Sequence, residues 1–143
     1  MKSFKISIIG SGRVATQLAK QLEKHSHTIY EVYSRRIENA TLLAEQLYDA
    51  VVVDSLDFSE SEAEIFIIAV ADDAVSFVAE NIIVPEDSIV AHTSGTLPMS
   101  VLFPINASVG VFYPLQTFSK EKAVQFKEIP ICVEGNDEYA TET

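Results

Sequence analysis

An α/β fold, with a doubly wound and mainly parallel sheet carrying helices on both faces, is what the sequence predicts, on three observations. Short apolar runs rich in β-branched residues alternate with amphipathic helical stretches along 143 residues. The run IFIIAV at residues 65–70 is unbroken and apolar, as in a central strand covered on both sides. A turn of Gly10-Ser11-Gly12 joins the first apolar run directly to the first helical stretch. Strands that alternate with helices pair in parallel through right-handed crossovers, which gives the layered α/β arrangement.

Residues 4–9 are a short apolar run rich in β-branched residues and read as a buried first strand. From Arg13 to Lys24, Val14, Leu18 and Leu22 recur at spacing four with Ala15 and Ala19 beside them. Gln17, Lys20, Gln21 and Lys24 fall on other faces, so this stretch is an amphipathic helix. TIYEVY at 28–33 reads as the second strand, and 37–48 as a second helix with Leu43 and Leu47 on one stripe. A short third strand is expected at 50–53. The connection 54–64 is Ser-rich, carries five acids and is too short to be a separate domain. After the IFIIAV strand, Asp72 or Asp73 is expected to cap a helix running to about Asn81. Pro85-Glu86-Asp87 then turns the chain into a fifth strand at 88–92. Thr96 and Pro98 open a short helix near 99–103, and further strands are expected near 109–112 and 129–133. Residues 1–135 thus form one domain by this reading. Gly135-Asn136-Asp137 reads as a helix entry, so 136–143 are expected to begin a helix leading to a C-terminal domain that this chain does not contain.

The 21 acids against 10 bases give a net charge of −11, which disfavours general binding to nucleic acid or to an anionic membrane. No apolar run approaches the ~20 residues of a membrane helix. The glycine turn also cuts the first run short of a signal-peptide core. Cys132 is the single cysteine, so no internal disulfide is possible, and a cytoplasmic location is expected. The charge is unevenly spread. Residues 1–36 hold seven bases and two acids, whereas 37–119 hold thirteen acids and no Lys or Arg.

That basic segment contains the two motifs with the most chemistry. In Gly10-Ser11-Gly12-Arg13-Val14-Ala15, the first glycine allows a tight turn and the second lets the backbone approach a pyrophosphate. Ala15, in the third small position, permits close helix–strand packing, and the free N–H groups of the helix start face the phosphates. The competing reading is a packing turn without a ligand. At the end of the second strand, NAD and FAD sites usually place an acid for the ribose 2′-hydroxyl. Here the strand runs into Ser34-Arg35-Arg36, and Glu31, three residues earlier and within the strand, is poorly placed for that contact. A hydroxyl and guanidinium groups suit the 2′-phosphate of NADP(H), the expected cofactor, although a solvated basic pair at a helix start has the same sequence. S-adenosylmethionine, another ligand of glycine-rich turns, has no phosphate for this cluster.

With these pieces in place, the chain resembles the NADP-binding half of the β-hydroxyacid-dehydrogenase-like superfamily. That superfamily includes pyrroline-5-carboxylate reductases, prephenate dehydrogenases and 6-phosphogluconate dehydrogenases. The likeness is greatest to Rossmann-like NADP-binding oxidoreductases with a helical C-terminal domain of unknown function. It is carried by IIGSGRVATQLA, VYSRR, IFIIAVADDAV, IVAHTSGTLPMSVL and GVFYPLQTFS, which together span nearly the whole chain. The resemblance implies that Val70, Ala71 and Asp72 line the cofactor cleft where the fourth strand ends, Asp72 having a helix cap as its alternative role. It also implies that His92, Thr93, Ser94 and Gly95 lie at the same edge near the nicotinamide. There His92 would act as proton donor or simply bond the backbone, and Ser94 would contact substrate. Tyr113 stands where prephenate-dehydrogenase relatives carry a histidine before proline, and Tyr113 and Gln116 would line the substrate pocket or form a strand-to-loop junction. A small-molecule substrate is implied, hydride moving between nicotinamide and a C=O or C=N group. The rest of the pocket would come from the helical domain and a homodimer partner. The alternative is a regulatory or sensor module that binds NADP without catalysis. His25 and His27 read as solvated loop residues rather than metal ligands, and no metal site is expected.

Overall fold

The computed structural model describes residues 3–114 and 131–135. The chain runs β1 (Lys5–Ile9), α1 (Arg13–Lys24), β2 (Thr28–Tyr33), α2 (Ile37–Ala44), β3 (Val51–Val53), β4 (Ile65–Ile68), α3 (Asp72–Asn81) and β5 (Ile89–His92). A 3-10 turn at Met99–Leu102 precedes β6 (Ser108–Pro114) and β7 (Ile131–Gly135). Among the described residues one sheet contains all seven strands, in the order β3-β2-β1-β4-β5-β6-β7. β1 to β6 pair in parallel, while β7 runs antiparallel along β6. From β1 the chain steps outward to β2 and β3, then returns to β4 on the other side of β1. The order therefore reverses between β1 and β4, where open α/β sheets form a crevice at their carboxyl ends.

Alternation along β1 supplies apolar side chains to both faces of the sheet. Ile6 and Ile8 join a core with Leu18, Leu22 and Leu43 from α1 and α2, while Ile9 turns to the opposite face. There it packs in a second core with Phe66 and Ile68 of β4, Val75 and Val78 of α3, and Leu102. Successive side chains of a strand point to opposite faces, so a strand covered on both sides has no polar stripe. The apolar continuity expected of a central strand is met by Phe66, Ile67 and Ile68 of β4, each buried.

Two expectations need correction, and one connection gains a structural role. α2 stops at Ala44 rather than running to residue 48. Its end tightens into bonds from Gln46 N–H to Leu43 O (2.9 Å) and from Leu47 N–H to Ala44 O (3.0 Å), which keep Leu47 buried. The acidic connection 54–64 docks on the sheet through Phe58, which is buried against Phe66 at a ring separation of 5.1 Å. Phe58 N–H donates to Ile83 O at 2.7 Å, and Ile83 N–H donates to Leu56 O at 2.9 Å. His27 is half-buried rather than solvated, with Nδ1 accepting from Phe4 N–H at 3.1 Å and its ring stacked on Phe4 at 5.6 Å.

Burial, followed by the neighbouring His25, holds the His27 pKa below its ordinary 6.5. Protonating Nδ1 removes the acceptor for Phe4 N–H. The stability carried by this contact is therefore complete above the unfolded pKa and is lost as pH falls through the lowered folded value. Denaturant midpoints of wild type and His27→Gln, measured between about pH 7.5 and about pH 5, should diverge with the wild type falling more steeply. Parallel curves would remove His27 from the pH response.

Among the described residues no helix is long and apolar enough to cross a membrane.

Candidate functional site

The two glycines of the first turn are required by different things. Gly10 has φ +129°, and a Cβ built on it would lie 2.2 Å from the carbonyl oxygen of Ala69. No L side chain fits that conformation beside another main chain. Gly10 N–H donates to Tyr33 O at 2.7 Å, and Ala69 N–H donates to Ile9 O at 2.8 Å, so the carboxyl ends of β2, β1 and β4 are joined. Gly12, by contrast, caps α1 with ordinary extended angles (φ −75°, ψ −165°), and a Cβ there would meet nothing within 4 Å. The protein's own packing has no need of a glycine at that point.

Thr16 N–H makes the first bond of α1, to Gly12 O at 2.9 Å, and no side chain caps the helix. The N–H groups of Gly12, Arg13 and Val14 have no partner among the described residues. Unclaimed N–H groups at the positive end of a twelve-residue helix favour an anion. Ala15 is buried under the sheet, as the third small position of the motif requires.

A cavity of about 570 Å³ opens beside this turn, lined by Gly10, Ser11, Gly12, Ser34, Arg35, Val70 and Ala71 of the expected set. Ser11 Oγ and Ser34 Oγ lie 2.9 Å apart and link the glycine turn to the end of β2. Arg36 caps α2 outside this lining, and Arg13 and Val14 stand exposed in the first turn of α1. Among the described residues the ion pair is Lys5 with Glu62 at 3.3 Å, so Arg13, Arg35 and Arg36 hold their charge unpaired. Glu31 accepts from Ser7 Oγ and Ser61 Oγ, each at 2.6 Å, and is tied down inside the sheet away from the cavity. The sequence missed the remaining wall: Tyr33, Ala69, Asp73, Ala74, Phe77 and Val78. A signal for part of it was present, since Ala74, Phe77 and Val78 recur at helical spacing on α3.

Asp72 neither caps α3 nor lines the cavity. The cap is Ala71, with no side-chain bond, and Asp72 Oδ2 accepts from the Thr96 hydroxyl at 2.7 Å. That contact joins the start of α3 to the loop after β5. Within the same loop, Ser94 Oγ accepts from the N–H groups of Thr96 and Leu97, each at 3.1 Å, and lies 3.2 Å from Thr96 Oγ1. His92 is fully buried at the end of β5. Its Nδ1 accepts from Ser94 N–H at 3.0 Å, which places the ring proton on Nε2 to donate to Pro98 O at 3.2 Å. These are the bonds of a histidine that shapes the backbone. Replacing His92 with Ala empties a buried site and strands two main-chain groups, so a loss of about 2–4 kcal/mol in denaturant unfolding is expected. A change below about 0.5 kcal/mol would contradict that role.

His92, Thr93, Ser94 and Gly95 stand at the carboxyl edge of the sheet but outside the lining of the 570 Å³ cavity. Tyr113 lies in β6 opposite Cys132 of β7. Gln116 lies outside the described residues. Among the described residues no group of three or more His, Cys, Asp or Glu is arranged to hold a metal ion.

A parallel 3-2-1-4-5-6 strand order, with a glycine turn and a cavity at its reversal point, defines a doubly wound α/β domain of the nucleotide-binding type. The chain belongs to the Rossmann-like domain family, whose model matches residues 1–116. A candidate NADP oxidoreductase from Bacteroides fragilis is similar at 35% identity and TM-score 0.83, over 98% of this chain and 54% of that one. A 1-pyrroline-5-carboxylate reductase from Streptococcus pyogenes matches at 16% identity and TM-score 0.74, over 98% of this chain and 52% of that one. A reductive aminase from Aspergillus terreus, in complex with NADPH and ethyl-5-oxohexanoate, matches at 20% identity and TM-score 0.62, over 81% and 42%. At those identities the last two show the fold alone. The chain spans about half the length of these structures. Comparison with curated proteins finds no match.

Proposed function

We propose that this chain is the NADP(H)-binding domain of an oxidoreductase that moves hydride between nicotinamide and a small C=O or C=N substrate. The observation that carries the reading is Gly12, a glycine that the fold does not need, at a helix start with unclaimed N–H groups beside an open cavity. Such a position leaves room for a pyrophosphate to approach the main chain. The unpaired Arg35 beside Ser34, with Arg36 next in the chain, supports NADP(H) over NAD(H), and the similarity to the Bacteroides fragilis protein points the same way.

When bound, the nicotinamide supplies the hydride. The chain's own part is to hold the phosphates at the helix start and to orient the dinucleotide across the sheet's carboxyl edge. His92 fixes the loop that carries Thr93, Ser94 and Gly95 toward the expected nicotinamide end. In this reading the Ser94 hydroxyl is the loop's candidate for contact with substrate. Its proton is directed at Thr96 Oγ1, because the Thr96 hydroxyl itself donates to Asp72.

Titration calorimetry of the 143-residue chain should give binding of NADPH that is tighter than binding of NADH. No heat with either cofactor would leave a structural α/β domain. Because the similar proteins are about twice as long, the chain alone should turn over simple carbonyl or imine substrates poorly. Robust turnover would refute the need for a further domain. A second reading, a non-catalytic NADP-binding module, is favoured by the bonding of His92, whose two ring nitrogens are both taken by main chain. Cofactor oxidation against a substrate panel in a longer form of the protein, with Ser94→Ala as comparison, separates the two.

A further inference from the structure

One wall of the 570 Å³ cavity comes from α3, where Ala74, Phe77 and Val78 make an apolar surface. Phe77 is 60% exposed, a large ring that folding leaves in water. α3 follows β4 and Arg35 follows β2, on either side of β1, so this wall stands across the glycine turn from the guanidinium. At the head of the wall is Asp73. Its neighbour Asp72 is held by Thr96, but the Asp73 carboxylate has no hydrogen bond or ion pair among the described residues, although Arg35 lines the same cavity. A free acceptor at the rim of an apolar wall fits a flat ring that carries a hydrogen-bond donor on its edge.

We propose that Asp73 accepts a hydrogen bond from the exocyclic amine of the cofactor's purine, whose face packs on Ala74 and Phe77, so that this end of the cavity selects a 6-aminopurine. The inference rests on the NADP(H) reading and deepens it, by assigning the base end of the site to residues outside the glycine and arginine motifs. A carboxylate in an anion-binding cavity opposes the ligand's charge, and a donor on the base is what turns it into an attraction. The amine lies at the far edge of the base from the phosphates, which limits the repulsion in salt.

The test compares NADP+ with 1,N6-etheno-NADP+, whose fused ring removes every N–H from that edge of the base. Binding of each is titrated to wild type, Asp73→Ala and Asp73→Asn. The bulk of the etheno ring acts on all three proteins, so the readout is the preference for NADP+ in each. Wild type should show a preference about 10-fold or more greater than Asp73→Ala, as expected for a hydrogen bond to a charged group. Asp73→Asn, which keeps a neutral acceptor, should fall between them and serves alone if the alanine variant does not fold. A purely structural role of Asp73 at the start of the helix would alter stability and leave the preference unchanged. Equal preference in wild type and variants overturns this proposal while leaving the cofactor reading intact. Failure of wild type to bind NADP+ at all overturns both.

Discussion

Arg35→Ala is expected to weaken NADPH binding by about 10- to 100-fold while changing NADH binding by less than about 3-fold. The only chemical difference between these ligands is the 2′-phosphate, so the difference in loss reports that group alone. Arg35 lines the cavity next to Ser34 and has no ion-pair partner among the described residues, so its charge is available to a ligand. A guanidinium can meet a phosphate with two parallel hydrogen bonds, and charge-assisted bonds are the stronger kind. The carboxylate that an NAD site would use is missing. Glu31, the nearest acid in β2, is occupied by the hydroxyls of Ser7 and Ser61. Arg36 stands outside the cavity lining and should matter less, so Arg36→Ala should cost NADPH under about 10-fold. Reduced-cofactor fluorescence titrations measure each of these affinities. Equal losses for NADPH and NADH in Arg35→Ala would remove the 2′-phosphate assignment.

Gly10→Ala and Gly12→Ala should fail in opposite ways. At position 10, φ +129° carries a strain of about 1–3 kcal/mol for a residue with a Cβ. The new atom would also sit 2.2 Å from Ala69 O and 2.8 Å from Ala69 C, both main chain in the middle of the sheet. Relief requires β1 and β4 to move apart at their carboxyl ends. A total loss above about 3 kcal/mol is expected, and a fall in Tm of about 10 °C or more. At position 12 a methyl meets open space, so stability should change by no more than about 1 kcal/mol, the difference between glycine and alanine as helix caps. The same methyl points into the region a pyrophosphate would use, and NADPH affinity should fall at least ~10-fold. Thermal unfolding together with calorimetry on both variants gives the contrast. If Gly12→Ala folds and binds NADPH normally, the glycine turn has no part in cofactor binding.

Features carried by neighbours in sequence are legible in the sequence itself. The strand, glycine turn and helix of residues 4–24 could be read because apolar spacing and two glycines specify them locally. Ser34-Arg35-Arg36 was found from its place at the end of a strand, and Ser34 and Arg35 do line the cavity. Errors and omissions arise where a partner comes from far along the chain. Asp72 has the composition of a helix cap, but Thr96, 24 residues on, takes its carboxylate. His27 has the surroundings of a loop, but Phe4, 23 residues before it, supplies an N–H and a stacked ring. Phe58 stands in an acidic stretch, and its burial depends on Phe66 and on a main-chain bond to Ile83.

The α/β class, the two coverings of the sheet and the glycine turn follow from local sequence, because hydrophobic period and backbone permissiveness act over a few residues. The strand order, and with it the reversal between β1 and β4 that opens the cavity, was decided only in the tertiary structure. So were the division of labour between Gly10 and Gly12, the capture of Glu31 and the enclosure of His92. Each of those depends on which main chain or side chain arrives from a distant segment. Sequence spacing does not encode that distance in space, and the close packing of the folded chain sets it to within an ångström.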